Sequence, residues 1–103
     1  MDSRIELQEQ LEAVLGSRNV YFQPPESKKL SYPCIVYNLA IIETLKADNK
    51  NYLLNNRYTV TIIHTDPDNE IKTDIMNVFD KISMDRVYTV NNLYHYVYDL
   101  YFK

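Results

Sequence analysis

From Asn56 to Asp68 the chain reads NRYTVTIIHTDPD, with Tyr58, Val60, Ile62 and His64 alternating against Arg57, Thr59, Thr61 and Ile63. Period-two alternation of β-branched and aromatic residues predicts a strand. Both of its faces carry apolar side chains, which predicts a central strand and not an edge. Asp66 then stands where a helix N-cap belongs and Pro67 where the first helical residue belongs, since proline's missing N–H costs nothing there. Beyond them the period changes. Ile71, Ile75, Val78, Phe79 and Ile82 form one helical stripe, which predicts a helix lying back across the sheet.

The N-terminal segment predicts a second helix. Ser3 and Glu6 make a capping box, Leu7, Leu11, Val14 and Leu15 make the apolar stripe, and Gly16 stands at C′, where a positive φ is wanted. Asn19 to Gln23 is a short strand ended by Pro24-Pro25, and Glu26 to Lys29 is a polar loop. Cys34 to Leu45 is apolar enough for one long strand. A bend or bulge near Asn38 is one way to fit its length, and its register stays open. Lys46 to Asn56 is rich in asparagine, which tolerates positive φ, and is expected to be the turn of an extended hairpin. Near the C-terminus, Arg86–Val90 and Leu93–Phe102 joined by Asn91-Asn92 predict a β-hairpin. Its last strand places Tyr94, Tyr96, Tyr98, Leu100 and Phe102 on one face, to be covered by a helix or by another subunit.

The expected architecture is a single α+β domain over residues 1–103, a mostly antiparallel or mixed sheet of four to five strands with two helices packed on one face. At 103 residues one hydrophobic core is affordable but not two.

Composition narrows function mainly by exclusion. The net charge is -3, and the only basic pair is Lys28-Lys29, so the clustered basic surface of a nucleic-acid binder is missing. The single cysteine, Cys34, cannot form an intramolecular disulfide and is expected to be buried and free. No apolar run approaches the ~18 residues of a membrane span and no signal-peptide core is present, so a soluble protein of a reducing compartment is expected. Gly16 is the only glycine, which disfavours phosphate-cradling loops. Ten tyrosines without a tryptophan lean towards a contact protein.

Candidate chemistry is sparse. Asp66, Asp68 and Glu70 fail as an EF-hand loop, because Ile71 and Asn77 stand where glycine and glutamate are required. Helix capping explains these acids. His64 and His95 lack the further ligands zinc needs, and His64 is expected to hydrogen-bond the following turn. A Cys34–histidine nucleophilic pair has no sequence support, and no hydrolase, P-loop or metalloprotease motif occurs. No enzyme activity, cofactor or metal is expected.

Three segments taken together resemble a known family: YPCIVY at Tyr32–Tyr37, RYTVTIIHTDPDNEI at Arg57–Ile71 and RVYTVNNLYHYVYDLYF at Arg86–Phe102. With the N-terminal helix, their order and spacing are similar to the tail-completion or tail-terminator proteins of long-tailed bacteriophages and prophages. The resemblance spans nearly the whole chain and implies a structural virion protein at the head–tail junction, made in the bacterial host cytoplasm. Such a protein forms a ring, usually a hexamer, that caps the tail tube, ends its polymerisation and joins it to the head-side connector protein. The implied partners are further copies of the chain, the tail tube protein and the connector, with no sequence-specific nucleic acid and no membrane. DNA would pass through the hole, and an acidic lumen would not trap phosphate.

The family carries no catalytic residues over. The candidate subunit or tube contacts are the hairpin tip Asp48, Asn49, Lys50, Tyr52, Leu53 and Leu54, with Glu26, Lys28 and Lys29 as rim charges. Two rival readings remain. One is a small regulatory or nucleic-acid-binding α+β domain, which would need Tyr94, Tyr96 and Tyr98 open for base stacking. The other is a metal enzyme built on Asp66, Asp68 and Glu70.

Overall fold

The computed structural model describes the backbone of residues 3–47 and 50–102 and the side chains of residues 4–40 and 56–102. Its elements are α1 (Ser3–Leu15), β1 (Val20–Phe22), β2 (Cys34–Ala47), β3 (Lys50–His64), α2 (Ile71–Val78), β4 (Ile82–Val90) and β5 (Leu93–Phe102). One five-stranded sheet runs in the order β1-β2-β3-β5-β4. β1 pairs parallel to β2, and the other neighbours pair antiparallel. This is the expected α+β class, with β3 in the centre as its two apolar faces require.

The core lies between the sheet and the helices. Ile35 and Tyr37 of β2, Val60 and Ile62 of β3, and Tyr98 and Leu100 of β5 are buried against Leu7 and Leu11 of α1 and Ile75 of α2. The register aligns Tyr37, Val60, Tyr98 and Met84 in one row across four strands. The first three are fully buried and Met84 is 41% exposed, so the helical cover ends at β5. Hydroxyls of the core tyrosines reach the rim: Tyr37 donates to Gln8 Oε1 of α1, and Tyr98 donates to the Lys72 carbonyl of α2 at 2.7 Å.

Turn chemistry follows expectation where one residue decides it. Gly16 follows α1 with φ +81° and donates to Glu12 O at 2.8 Å, the left-handed C-terminal stop for which glycine is suited. Asn91 and Asn92 take φ +53° and +63°, as a tight hairpin turn of the right twist requires.

Several boundaries differ from the sequence reading. α1 already includes Ser3, which therefore stands in the first turn and not before it. α2 begins at Ile71, not Pro67, and ends at Val78. Ile82 belongs to β4, where it faces Leu100, and β4 therefore starts four residues before Arg86. Val78 leaves the apolar stripe and is 49% exposed. Lys46–Asn56, read as a turn, is mostly strand: β2 continues to Ala47 and β3 starts at Lys50. The bulges of the long hairpin fall at Ala40, two residues past the Asn38 near which one was expected, and at Leu54; both residues lack partners in the register.

The hairpin extends well past the sheet. β1 covers β2 only at Ile35–Tyr37, and β5 ends opposite Asn56 of β3. Glu43–Ala47 and Lys50–Asn55 therefore pair only with each other, as a two-stranded ribbon, and Ile41 and Ile42 lead into it opposite Arg57 and Asn56. The molecule measures 51 × 28 × 24 Å, in keeping with such a projection.

Candidate functional site

The face of the sheet away from the helices carries a groove that two of the rim charges border. The loop 23–33 between β1 and β2 is drawn onto this face by Tyr21. Its hydroxyl accepts from Ser31 N at 3.4 Å, and the Lys28 ammonium lies 5.6 Å from its ring centroid. A backbone turn, Lys28 N to Pro25 O at 3.0 Å, shapes the tip. Between loop and sheet runs a groove of about 360 Å³, with Glu26, Lys28 and Leu30 on one side and Ile63, Tyr88 and His95 on the other.

The strand side of the groove is an aromatic stack. Tyr88 and His95 are direct cross-strand partners with centroids 4.6 Å apart and planes inclined by 11°. The Arg86 guanidinium lies 5.8 Å from the Tyr88 centroid. His95 Nδ1 is 3.0 Å from Leu93 O, a contact in which the carbonyl accepts. Apolar walls with one acid and one ammonium at the rim suit a protein segment. They hold no nucleophile–base pair.

The acidic turn has a structural role. Asp66 Oδ1 accepts from Asp68 N at 2.9 Å, closing a turn of its own ahead of the helix. Glu70 holds the N-cap position of α2 and makes no side-chain cap bond; Asn69, one place before it, supplies the side chain that reaches the first turn. Asn69 is 7% exposed, and its Oδ1 accepts from Lys72 N at 3.2 Å. Its Nδ2 donates to Asp66 O at 2.7 Å and to the Tyr96 hydroxyl at 3.3 Å. The N-cap position expected of Asp66 is therefore corrected to Glu70, and the capping side chain to Asn69, which also ties the turn to β5.

The remaining candidates divide as follows. Glu26, Lys28 and Lys29 are exposed, and Glu26 and Lys28 line the groove. Lys50, Tyr52, Leu53 and Leu54 lie on β3 in the ribbon, with side chains outside the described residues. Asp48 and Asn49 lie outside the described residues altogether. The structure does not bring the loop charges and the ribbon into one described site.

His64 and His95 are on opposite faces of the sheet, since His95 pairs with Ile63, the neighbour of His64. They cannot share a metal. His64 Nδ1 accepts from Asp66 N at 3.0 Å, the turn contact expected of it. No group of three metal-binding side chains occurs among the described residues. Cys34 is free and buried, and burial raises its thiol pKa to about 11, so it is no ready nucleophile at neutral pH. Tyr96 and Tyr98 are buried under α2 and offer no stacking surface for bases. No described helix is long and apolar enough to cross a membrane.

Sequence reasoning passed over the Tyr88–His95 stack and Asn69. The first was accessible from the register. A two-residue Asn91-Asn92 turn pairs Val90 with Leu93, and counting back two places puts Tyr88 opposite His95. Asn69 carried no local signal that outranked Asp66. No protein-family model, no curated protein and no solved structure matches this chain.

Proposed function

We propose that the chain is a structural virion protein that caps the head-proximal end of a phage tail tube as a ring, ends tail polymerisation and joins the tail to the head-side connector. One observation carries the reading: the β2–β3 ribbon, which runs past the sheet with both of its edges unpaired among the described residues. An isolated two-stranded hairpin is marginal in water, so a ribbon of this length is suited to a neighbour and serves no purpose within one domain. The α+β sheet with helices on one face is also the fold that the sequence resemblance implies. In a closed ring each subunit offers two different patches, one to each neighbour. The groove beside Glu26 and Lys28 is available to the tube or connector.

Native mass spectrometry over a concentration series, with and without purified tail tubes, tests the reading. A closed ring of about six copies, alone or on the tube end, is expected from a symmetric cap. A chain that neither self-associates nor binds tubes would refute it.

A further inference from the structure

β4 is the last strand of the sheet, and its outer edge has no neighbour among the described residues. Every residue from Ser83 to Val90 is exposed, including Met84, Val87, Tyr88 and Val90 at 41, 52, 40 and 47%. Unpaired, apolar edges template further strands, and natural proteins blunt them with bulges, charges or covering segments. β4 has one bulge, at Asp85, and from Arg86 to Val90 its register is regular. That half of the strand is a straight, open edge of about 17 Å.

A matching edge exists on the same chain. On the β2 side of the ribbon every residue of Ile41–Ala47 has a partner, with one register shift between Glu43 and Thr44 where Leu54 bulges from the opposite strand, a run of about 24 Å. The β3 side is broken by the bulge at Leu54. β1 stops at Tyr37, and Leu39 N is taken by Gln23 Oε1 at 3.2 Å, so the open edge begins just beyond. β3 and β5 separate β2 from β4 in the sheet, so the two edges do not meet within one copy.

We infer that Arg86–Val90 of one copy adds as a strand to the open edge of Ile41–Ala47 of a second copy. The sheets of successive subunits then join through the ribbon. Two different edges meet, so the contact is heterologous and repeats around an axis instead of closing a two-fold dimer. The ribbon gains a third strand, the number from which a small sheet becomes stable. The inference rests on the ring reading and names both patches of its contact.

Hydrogen exchange on dilute and concentrated protein, and on protein seated on purified tail tubes, tests it alongside a Tyr88→Lys/Val90→Lys variant. Both side chains are exposed, so the variant should keep the wild-type circular dichroism. The expected result is an oligomer in which amides of Arg86–Val90 and Ile41–Ala47 both exchange at least roughly tenfold more slowly, and a variant that stays monomeric. An oligomer in which both segments exchange at the monomer rate, or a variant that assembles like the wild type, would overturn the strand pairing and leave the ring standing. Slowing confined to Arg86–Val90 would overturn the ribbon as the occupant. A monomer under every condition, tubes included, would overturn pairing and ring together.

Discussion

Replacing Asn69 with alanine isolates the step that starts α2. The side chain makes three bonds: it accepts from Lys72 N, and it donates to Asp66 O and to the Tyr96 hydroxyl. Loss of an N-cap side chain costs about 1 kcal/mol. The Asp66 carbonyl lies in an exposed turn and recovers water. The Tyr96 hydroxyl belongs to a residue only 6% exposed, and a buried group that loses its partner costs about 1–3 kcal/mol. Its 3.3 Å bond is long, which places it at the lower end. The sum is about 2–3 kcal/mol, or a fall in Tm of about 10–20 °C for a domain of this size. Asp66→Ala removes one exposed turn bond and should cost about 1 kcal/mol or less. Asn69→Asp keeps the acceptor for Lys72 N and should recover about half of the loss. Urea and thermal unfolding followed by circular dichroism measure all three. If Asp66→Ala proves more costly than Asn69→Ala, the helix is capped from Asp66 and the assignment is refuted.

Other expectations are simpler. Gly16→Ala meets no atom within 4 Å, so only the left-handed backbone opposes it, and chemical denaturation should show a loss of about 1 kcal/mol. Tyr98→Phe removes the bond to Lys72 O and should cost about 1 kcal/mol, whereas exposed Tyr88→Phe should leave Tm unchanged. Burial raises the Cys34 pKa from 9.0 to about 11 and the Tyr98 pKa from 10.0 to about 12. Both groups are neutral when protonated, and the folded state holds the proton more tightly. Their stabilisation is therefore complete below about pH 9 and pH 10 and is lost as pH rises through the folded values. Unfolding free energy measured from pH 8 to 12 should fall along this course, and Cys34→Ala should delay its onset by about one unit.

Much of the fold was legible because several signals agreed. Alternation over Tyr58–His64 marked β3 as central, Gly16 marked the end of α1, and Asn91-Asn92 set the register of the last hairpin. The misses occurred where local signals pointed to more than one structure. Asp66-Pro67 has the chemistry of a helix start, yet it closes a turn ahead of the helix. The cap went to Asn69 through a contact with Tyr96, 27 positions away, which no local rule can see. Ile82 extends the helical stripe of Ile71, Ile75 and Phe79, but its burial comes from pairing with Leu100 in β4. Lys46–Asn56 has the composition of a turn, yet Lys46–Ala47 and Lys50–Asn56 are strand because they bond across the hairpin, an outcome that weak strand propensities do not exclude. Of the candidate contacts, Glu26 and Lys28 could be read only as loop charges, since the groove they border is made by strands distant in sequence.

The tyrosines change meaning once they are placed. Their abundance alone suggested contact surfaces, but Tyr37, Tyr58, Tyr96 and Tyr98 are in the core. Three of them reach helix or turn groups: Tyr37 to Gln8, Tyr96 to Asn69 and Tyr98 to Lys72. A tyrosine supplies a large apolar body and a hydroxyl that reaches past the core to a polar partner, so it fastens a short helix that would be weak alone. α2 has only eight residues, below the length at which an isolated helix holds together in water, and two of these hydroxyls secure it. The tyrosine content is thus explained largely by the fold and lends little weight to a partner. The weight shifts to features the fold does not need: the ribbon beyond Asn56 and the open edge of β4. Removing exposed apolar groups from β4 should leave monomer stability untouched and change only what the chain assembles with, a separation that the core tyrosines would not allow.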